Sequence, residues 1–407
     1  MSFDKNFKPC LRFVAVSDIH YKDERTAENE RFENAIKYAN ELSKNDDRYN
    51  KLDALYIVGD FADNGSEYQM NAIKKAIDEN LLPETQYSLM LASHEFSEKN
   101  GGEKGALERF GRIFNLPADD HRVINGFHFI SVTCTNGCHF DEAKQKWAAE
   151  ELAKAAKDDP FKPIFFFQHP HITDTVSGSI YWGEDELIPA LMNYPQVINF
   201  SGHSHAPIND PRSIHQHDFT CLGTGTLSYF ELDEFDKYYG TLPPHKEDAA
   251  QMLIVEADEQ GRVRIYPYDV LTGQFFKQTW EIDTPWDPSS FIYTDNRYRT
   301  QNAPYFPEGA NVKAEVEGSN ANVIFSQAAD DVDFYANDYY VTLYREDSSI
   351  ARRASVWSEY YFSNMPETLT VPFEGLEKGK YTAVVSARSF WSVYSSNTLK
   401  VSFEIDN

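Results

Sequence analysis

Apolar positions along the chain gather into short runs, and each run stops at polar residues. Residues 11–17 (LRFVAVS) end at Asp18, and 52–58 end at Gly59 and Asp60. Residues 86–92 lead into His94, 163–167 stop just before His169, and 196–200 run to Gly202. Between these runs the period changes. Residues 26–43, 67–80 and 141–157 space their apolar side chains as one face of a helix does. Short strands alternating with helices predict an α/β domain. In such sheets the crevice beyond the carboxyl ends of the strands is where ligands bind, so the five sets of polar residues are expected to meet there.

Downstream of about Phe219 the texture becomes β. Residues 219–231, 251–256 and 263–268 read as strands, the last two joined by the turn-prone DEQG. Residues 283–309 carry Pro285, Pro304 and Pro307 with little periodicity, as a linker or strap does. From Ala310 onward the runs VKAEVEG, YYVTLYRE, TLTVPFEG, YTAVVSAR and LKVSFEI alternate apolar and polar positions, which predicts a β-sandwich. The expected organisation is a catalytic α/β domain over 8–282, a linker over 283–309 and an all-β sandwich over 310–407. A length of 407 residues fits two such cores.

Composition narrows the partners. A hydrophobic fraction of 41%, with twenty-nine Phe and twenty-four Tyr, supplies core material for a folded protein. The formal net charge of -26 repels a nucleic-acid scaffold on average, because affinity for one rests on Lys and Arg neutralising phosphates. A small phosphorylated substrate meeting metal ions is compatible with it. No window holds enough apolar residues to span a bilayer, and residues 1–9 lack the apolar core of a signal peptide, so a cytoplasmic location is the expectation unless a leader has been removed. Cys134 and Cys138, the latter followed by His139, have no second closely spaced pair to complete a thiolate site and read as ordinary core or loop thiols.

Five short motifs carry the candidate chemistry: Asp18 and His20 in SDIH, Asp60 and Asp63 in GDFAD, His94 and Glu95 in ASHE, His169 in QHPH, and His203 and His205 in GHSH. Each alone is a common coincidence. Together they place five of the twelve histidines and two aspartates directly after predicted strands. Imidazole and carboxylate are ligands for Zn, Mn or Fe. Two such cations close together acidify a shared water, so that a bridging hydroxide forms near neutral pH, and they hold phosphoryl oxygens as charge builds.

In this order the motifs resemble the signature of the calcineurin-like metallophosphoesterase superfamily: D-x-H, G-D-x-x-D, G-N-H-D/E, H and G-H-x-H. The resemblance covers about residues 11–230 and implies a double-sheet α/β sandwich flanked by helices. It implies a first metal held by Asp18, His20, Asp60 and His205, with Asp60 bridging to a second held by His169, His203 and Ser93. His94 serves the substrate as acid, with Asp63 or Glu95 orienting its ring. Two departures stand out. The family's Asn is Ser93 here, a shorter and weaker neutral donor. The metal-binding tyrosine that purple acid phosphatases carry three residues after the G-D aspartate is Asp63, so no tyrosinate-to-iron colour is expected.

The implied activity is hydrolysis of a phosphoester, with cyclic nucleotides or similar small diesters favoured through a resemblance to class III cyclic nucleotide phosphodiesterases. Phosphomonoesters or phosphoproteins are the alternative. A reading of another class is a non-catalytic binding protein with a degenerate metal site, for which Ser93 is the support. His171, His215 and His217 lie near the motifs and are expected to be supporting residues. In the C-terminal part, Leu376, Gly379 and Tyr381 resemble the tyrosine corner of fibronectin type III domains. Its aromatics, Trp357, Tyr360, Tyr361, Phe390, Trp391 and Tyr394, are expected to be packing residues, with a glycan- or protein-binding face as the alternative.

Overall fold

The computed structural model describes residues 2–232, 241–300 and 303–406. The chain divides into two compact units, Met1–Thr294 and Asp295–Asn407.

In the first unit, alternation along Leu11–Val16 sends Leu11, Phe13 and Ala15 to one face and Val14 and Val16 to the other. This strand pairs in parallel with Ala54–Ile57, which pairs in parallel with Gln86–Leu89. Its other edge pairs antiparallel with Gln251–Ala257, followed by Val263–Asp269. A second sheet runs Ile214–Gln216, Thr220–Gly223, Val197–Ser201, Ile164–Phe167, Phe127–Ser131, Asp120–Ile124, with its four central strands parallel. The two sheets share an inner aromatic layer. Phe13 packs edge-on to Phe129 and Phe165, and Tyr56 stacks on Phe167 at 4.1 Å. Helices Ala27–Lys44, Glu67–Asn80 and Glu142–Asp158 bury their apolar stripes outside the layers. Ser66 and Asp141 cap the latter two, each accepting from the backbone three residues on. This is the double-sheet sandwich flanked by helices that the resemblance implied.

Several boundaries differ from the sequence expectations. The strand expected over 219–231 ends at Gly223. Beyond it the backbone leaves the sheet: Thr224 N–H donates to Ser201, Leu227 N–H to Asp18, and Gln251 N–H to Thr226. Helix Gly102–Phe114 and strands Asp120–Ile124 and Phe127–Ser131 were not anticipated. The expected linker starts inside the fold. Trp280–Ile282 pairs with Val263–Asp269, and the Gln216 side chain accepts from Ile292 and Tyr293 N–H, so order continues to the division after Thr294. Gln301 and Asn302 of that linker lie outside the described residues.

The second unit contains a three-stranded sheet (Val312–Glu317, Asn320–Ser326, Thr368–Phe373) and a four-stranded one (Ile350–Trp357, Asp338–Arg345, Gly379–Arg388, Leu399–Ile405). Alternate residues of both enter one core that includes Val323, Phe325, Val341, Leu343, Val371 and Val385, as in a β-sandwich. The Tyr381 hydroxyl donates to Glu377 C=O at 2.8 Å, pinning the start of its strand. The buried Arg388 guanidinium is paired with Asp338. Trp357, Tyr360, Tyr361, Phe390 and Trp391 are buried and only Tyr394 of the six aromatics is exposed, so five of them serve packing.

Candidate metal centre

The motif loops continue the parallel ladders past the strand ends. Val58 N–H donates to Val16, Asp18 N–H to Gly59, His20 N–H to Asp60 and Tyr21 N–H to Phe61, so SDIH and GDFAD run side by side. In the second sheet Gln168 N–H donates to Phe200 and Gly202 N–H to His169, which sets QHPH beside GHSH. Paired loops at two sheet ends bring seven distant residues to one place. The approach is close enough to strain the backbone. Asp18, His20, Asp60, His203 and His205 all have positive φ, between 45° and 76°. Non-glycine residues adopt this region only where the surroundings hold them, and such residues cluster at functional sites. Two glycines make the approach feasible. A Cβ on Gly59 would sit 2.4 Å from His169 Nδ1, and one on Gly202 would sit 2.6 Å from Asp18 Oδ2.

Two groups of ligand atoms result, each within 4.8 Å of one another: Asp18, His20 and His205, and Asp60, His169 and His203. In two of these rings the tautomer is set by the second nitrogen. His169 Nδ1 lies 2.7 Å from Val58 C=O and His205 Nδ1 lies 2.9 Å from Tyr229 C=O. A carbonyl only accepts, so Nδ1 carries the proton and the Nε2 lone pair faces inward, as in a metal ligand. His169 Nε2 is fully buried and makes no hydrogen bond of good geometry, although Asp60 Oδ2 is 3.1 Å away and Asp18 Oδ1 is 3.9 Å away. Nε2 of His20 and of His205 are 3.3 Å apart, and His205 Nε2 is 3.4 Å from Asp18 Oδ1. One orphaned nitrogen, with further ring nitrogens gathered round buried carboxylates, fits two divalent cations.

The electrostatics agree. Burial holds His20 well below the usual histidine pKa, reinforced by His205, and it depresses His203 to about 3, reinforced by His169. Both rings are therefore in the neutral, ligating form. His169 is the exception: burial would lower it too, but Asp60 and Asp18 outweigh burial and raise it. Asp60 moves the opposite way. Burial raises its pKa, while His169, His94 and His20 draw it well below the carboxylate range. Two buried carboxylates sharing one proton-hungry imidazole describe a pocket short of positive charge.

Ser93, His94 and Glu95 occupy one loop facing Asp60. Ser93 Oγ donates to Asp60 Oδ2 at 3.0 Å, and His94 N–H donates to Asp60 Oδ1 at 3.0 Å. The ring of His94 is oriented differently from the expectation. Its Nδ1 bonds the backbone carbonyl of Asp63 at 2.8 Å, whereas the Glu95 carboxylate is fully buried and accepts from Ala62 and Ala92 N–H. Glu95 thus ties the GDFAD loop to the ASHE loop and does not touch the ring. Asp63 does reach the site, since its carboxylate groups with His20 and His94.

Of the neighbouring histidines, His171 is buried between Ser201 Oγ and Ser204 Oγ, each at 2.7 Å, and supports the GHSH loop. His215 is buried in Ile214–Gln216, and His217 is exposed beside Asp218. Sequence reasoning missed three residues. Tyr229 packs at a tilt against His205 with ring centroids 4.1 Å apart, Trp182 meets His203 edge-on at 4.9 Å, and Cys138 Sγ lies 3.3 Å from His203 Nε2. Of these only Cys138 carried a signal, through the Asn-Gly turn that precedes it. Among the described residues no helix is long and apolar enough to cross a membrane.

No curated protein matches the chain. Among solved structures, the purple acid phosphatase PPD1 from yellow lupin (Lupinus luteus) seeds superposes with a TM-score of 0.50 at 14% identity, over 67% of this chain. This chain spans 53% of that protein's length, and the likeness establishes the fold alone. The PKD1 domain of the Vibrio cholerae metalloprotease PrtV aligns with 26% of this chain and 100% of its own at 11% identity, with a TM-score of 0.16. Residues 11–207 match the family described as calcineurin-like phosphoesterase, so this chain carries a calcineurin-like metallophosphoesterase domain.

Proposed function

We propose that the first unit hydrolyses phosphoesters with a dinuclear centre of Mn, Fe or Zn, and that its substrates are small phosphodiesters of the cyclic-nucleotide kind. The observation that carries this is the commitment of Nδ1 of His169 and His205 to backbone carbonyls, which turns both Nε2 atoms toward Asp18 and Asp60. A relic site would have no reason to keep five strained residues and an orphaned buried imidazole. Asp18, His20, Asp60 and His205 would hold one cation, and Asp60, His169, His203 and Ser93 the other. When bound, the pair supplies an acidified water and positive charge against the phosphoryl group.

The chain's own residues do the rest. Asp60 takes its position from His94 N–H and the Ser93 hydroxyl, so the carboxylate that would serve both cations is fixed by the loop that carries the proposed acid. Asp63 C=O accepts from His94 Nδ1, so in the imidazolium form that proton stays and the second one, on Nε2, is given to the departing alkoxide, leaving the neutral ring. Tyr229 and Trp182 put aromatic surfaces beside His205 and His203, and a planar base suits such a rim. The second unit reads as a fibronectin type III-like domain, for which the Tyr381 to Glu377 bond is the support. With added Mn, a cyclic nucleotide and an aryl diester should be turned over faster than an aryl monoester. The reverse order would assign the enzyme to monoesters, and no turnover with two cations bound would favour the binding-protein reading.

A further inference from the structure

Cys138 is placed by a turn that leaves it little freedom. Thr135 and His139 exchange backbone hydrogen bonds, closing a three-residue loop, Asn136 to Cys138, in which Asn136 and Gly137 both have positive φ. The turn follows strand Phe127–Ser131 at the same end of the sheet as QHPH and GHSH. It sets the free, partly buried Cys138 thiol 3.3 Å from His203 Nε2. His203 belongs to the position proposed for the second cation. The independent sign that this position expects a ligand is His169 Nε2, fully buried and without a well-made hydrogen bond.

Bonds of about 2.0–2.1 Å to nitrogen and about 2.3 Å to sulfur span a ligand-to-ligand edge of roughly 3.5 Å in a tetrahedral site. The observed Nε2 to Sγ separation of 3.3 Å is close to that edge. Cys138 adjoins the compact group of Asp60, His169 and His203 through His203, so a small movement of the turn brings the sulfur in. Ser93, by contrast, offers a neutral hydroxyl already donated to Asp60.

We propose that Cys138 is a thiolate ligand of the second cation, taking the place that Ser93 leaves weak and biasing that position toward zinc or another soft ion over manganese. The inference rests on the dinuclear reading above. Ligation breaks the S–H bond, the proton leaves to solvent, and the sulfur lone pair forms the bond to the cation with no change of oxidation state.

The test uses the full chain loaded with Co(II), together with C138S and the double variant S93N/C138S. The wild type should bind two ions and show an intense sulfur-to-cobalt charge-transfer absorption in the near ultraviolet. C138S should still take two ions, lose that absorption, and bind the weaker one about 10- to 100-fold less tightly, the scale on which ligand-shell changes act. S93N/C138S should recover much of the affinity without the absorption. With zinc bound, the wild-type thiol should resist a disulfide reagent that modifies it in the metal-free protein. Two bound ions with no charge-transfer absorption and unchanged affinity in C138S would overturn the inference alone. A wild-type chain that binds fewer than two ions would overturn the dinuclear reading and this inference with it.

Discussion

The two ligand groups are built to different standards. Asp18, His20 and His205 are all buried, and each sits on backbone locked to a neighbouring loop. Asp18 accepts from His203 N–H, and His205 is held by Tyr229 C=O and packed under the Tyr229 ring. Around Asp60, His169 and His203, the inner half is as rigid, but the outer half has a partly exposed His203, with Ser93 and the Cys138 turn beside it as the proposed further donors. The difference teaches that the fold dictates ligands at the sheet ends, where a ladder sets each backbone, and leaves more freedom where loops alone supply them. The first position should therefore be the tight and conventional one, and the second the tunable one.

The largest effect is expected at the carboxylate common to both. Asp60→Ala should abolish metal occupancy at both positions together with turnover, because it removes the carboxylate proposed to serve both cations and the anchor of Ser93 and His94. Metal analysis of the purified variant checks this, and loss of one cation only would show that Asp60 does not bridge. Gly59→Ala separates the positions. Its methyl would enter the His169 ring at a backbone with φ +82°, so the second cation should be lost while the first is retained. Unfolding should be easier by about 1–3 kcal/mol, the usual strain for such a backbone, as read by denaturant titration.

His94→Ala should leave both positions filled. Turnover of substrates with poor leaving groups should fall by about 10² to 10⁴, while an activated aryl ester suffers much less. Equal losses on both substrates would show that His94 is not the acid. A smaller change should follow Ser93→Asn. An amide oxygen in place of the hydroxyl should tighten the second cation only, by about 1–2 kcal/mol or roughly tenfold in calorimetric titration. Tightening of both positions would end the distinction drawn here. The smallest effect is expected from ending the chain after Thr294: every proposed ligand lies in the first unit, so both cation affinities should be unchanged.

Much of this was determined by the sequence itself. Apolar runs ending in Asp18, Asp60, His169 and Gly202 announce strands with chemistry beyond their ends, because a buried strand keeps a charged residue only when it is paired, whereas a loop at its carboxyl end can present one. The alternating runs after Ala310 announce a sandwich for an equally local reason, since period two admits only a half-buried strand. What tertiary structure alone decided are the contacts between segments far apart in the chain. That Asp63 holds His94 by its carbonyl and Glu95 braces two loops depends on which way each loop turns. That residues 224–231 leave the sheet to run beneath Asp18 follows from a sheet edge that the local apolar pattern does not reveal. Cys138 shows the same limit. Its Asn-Gly turn is legible in sequence, but its approach to His203, sixty-five residues away, is set by how two parallel strands place their ends side by side.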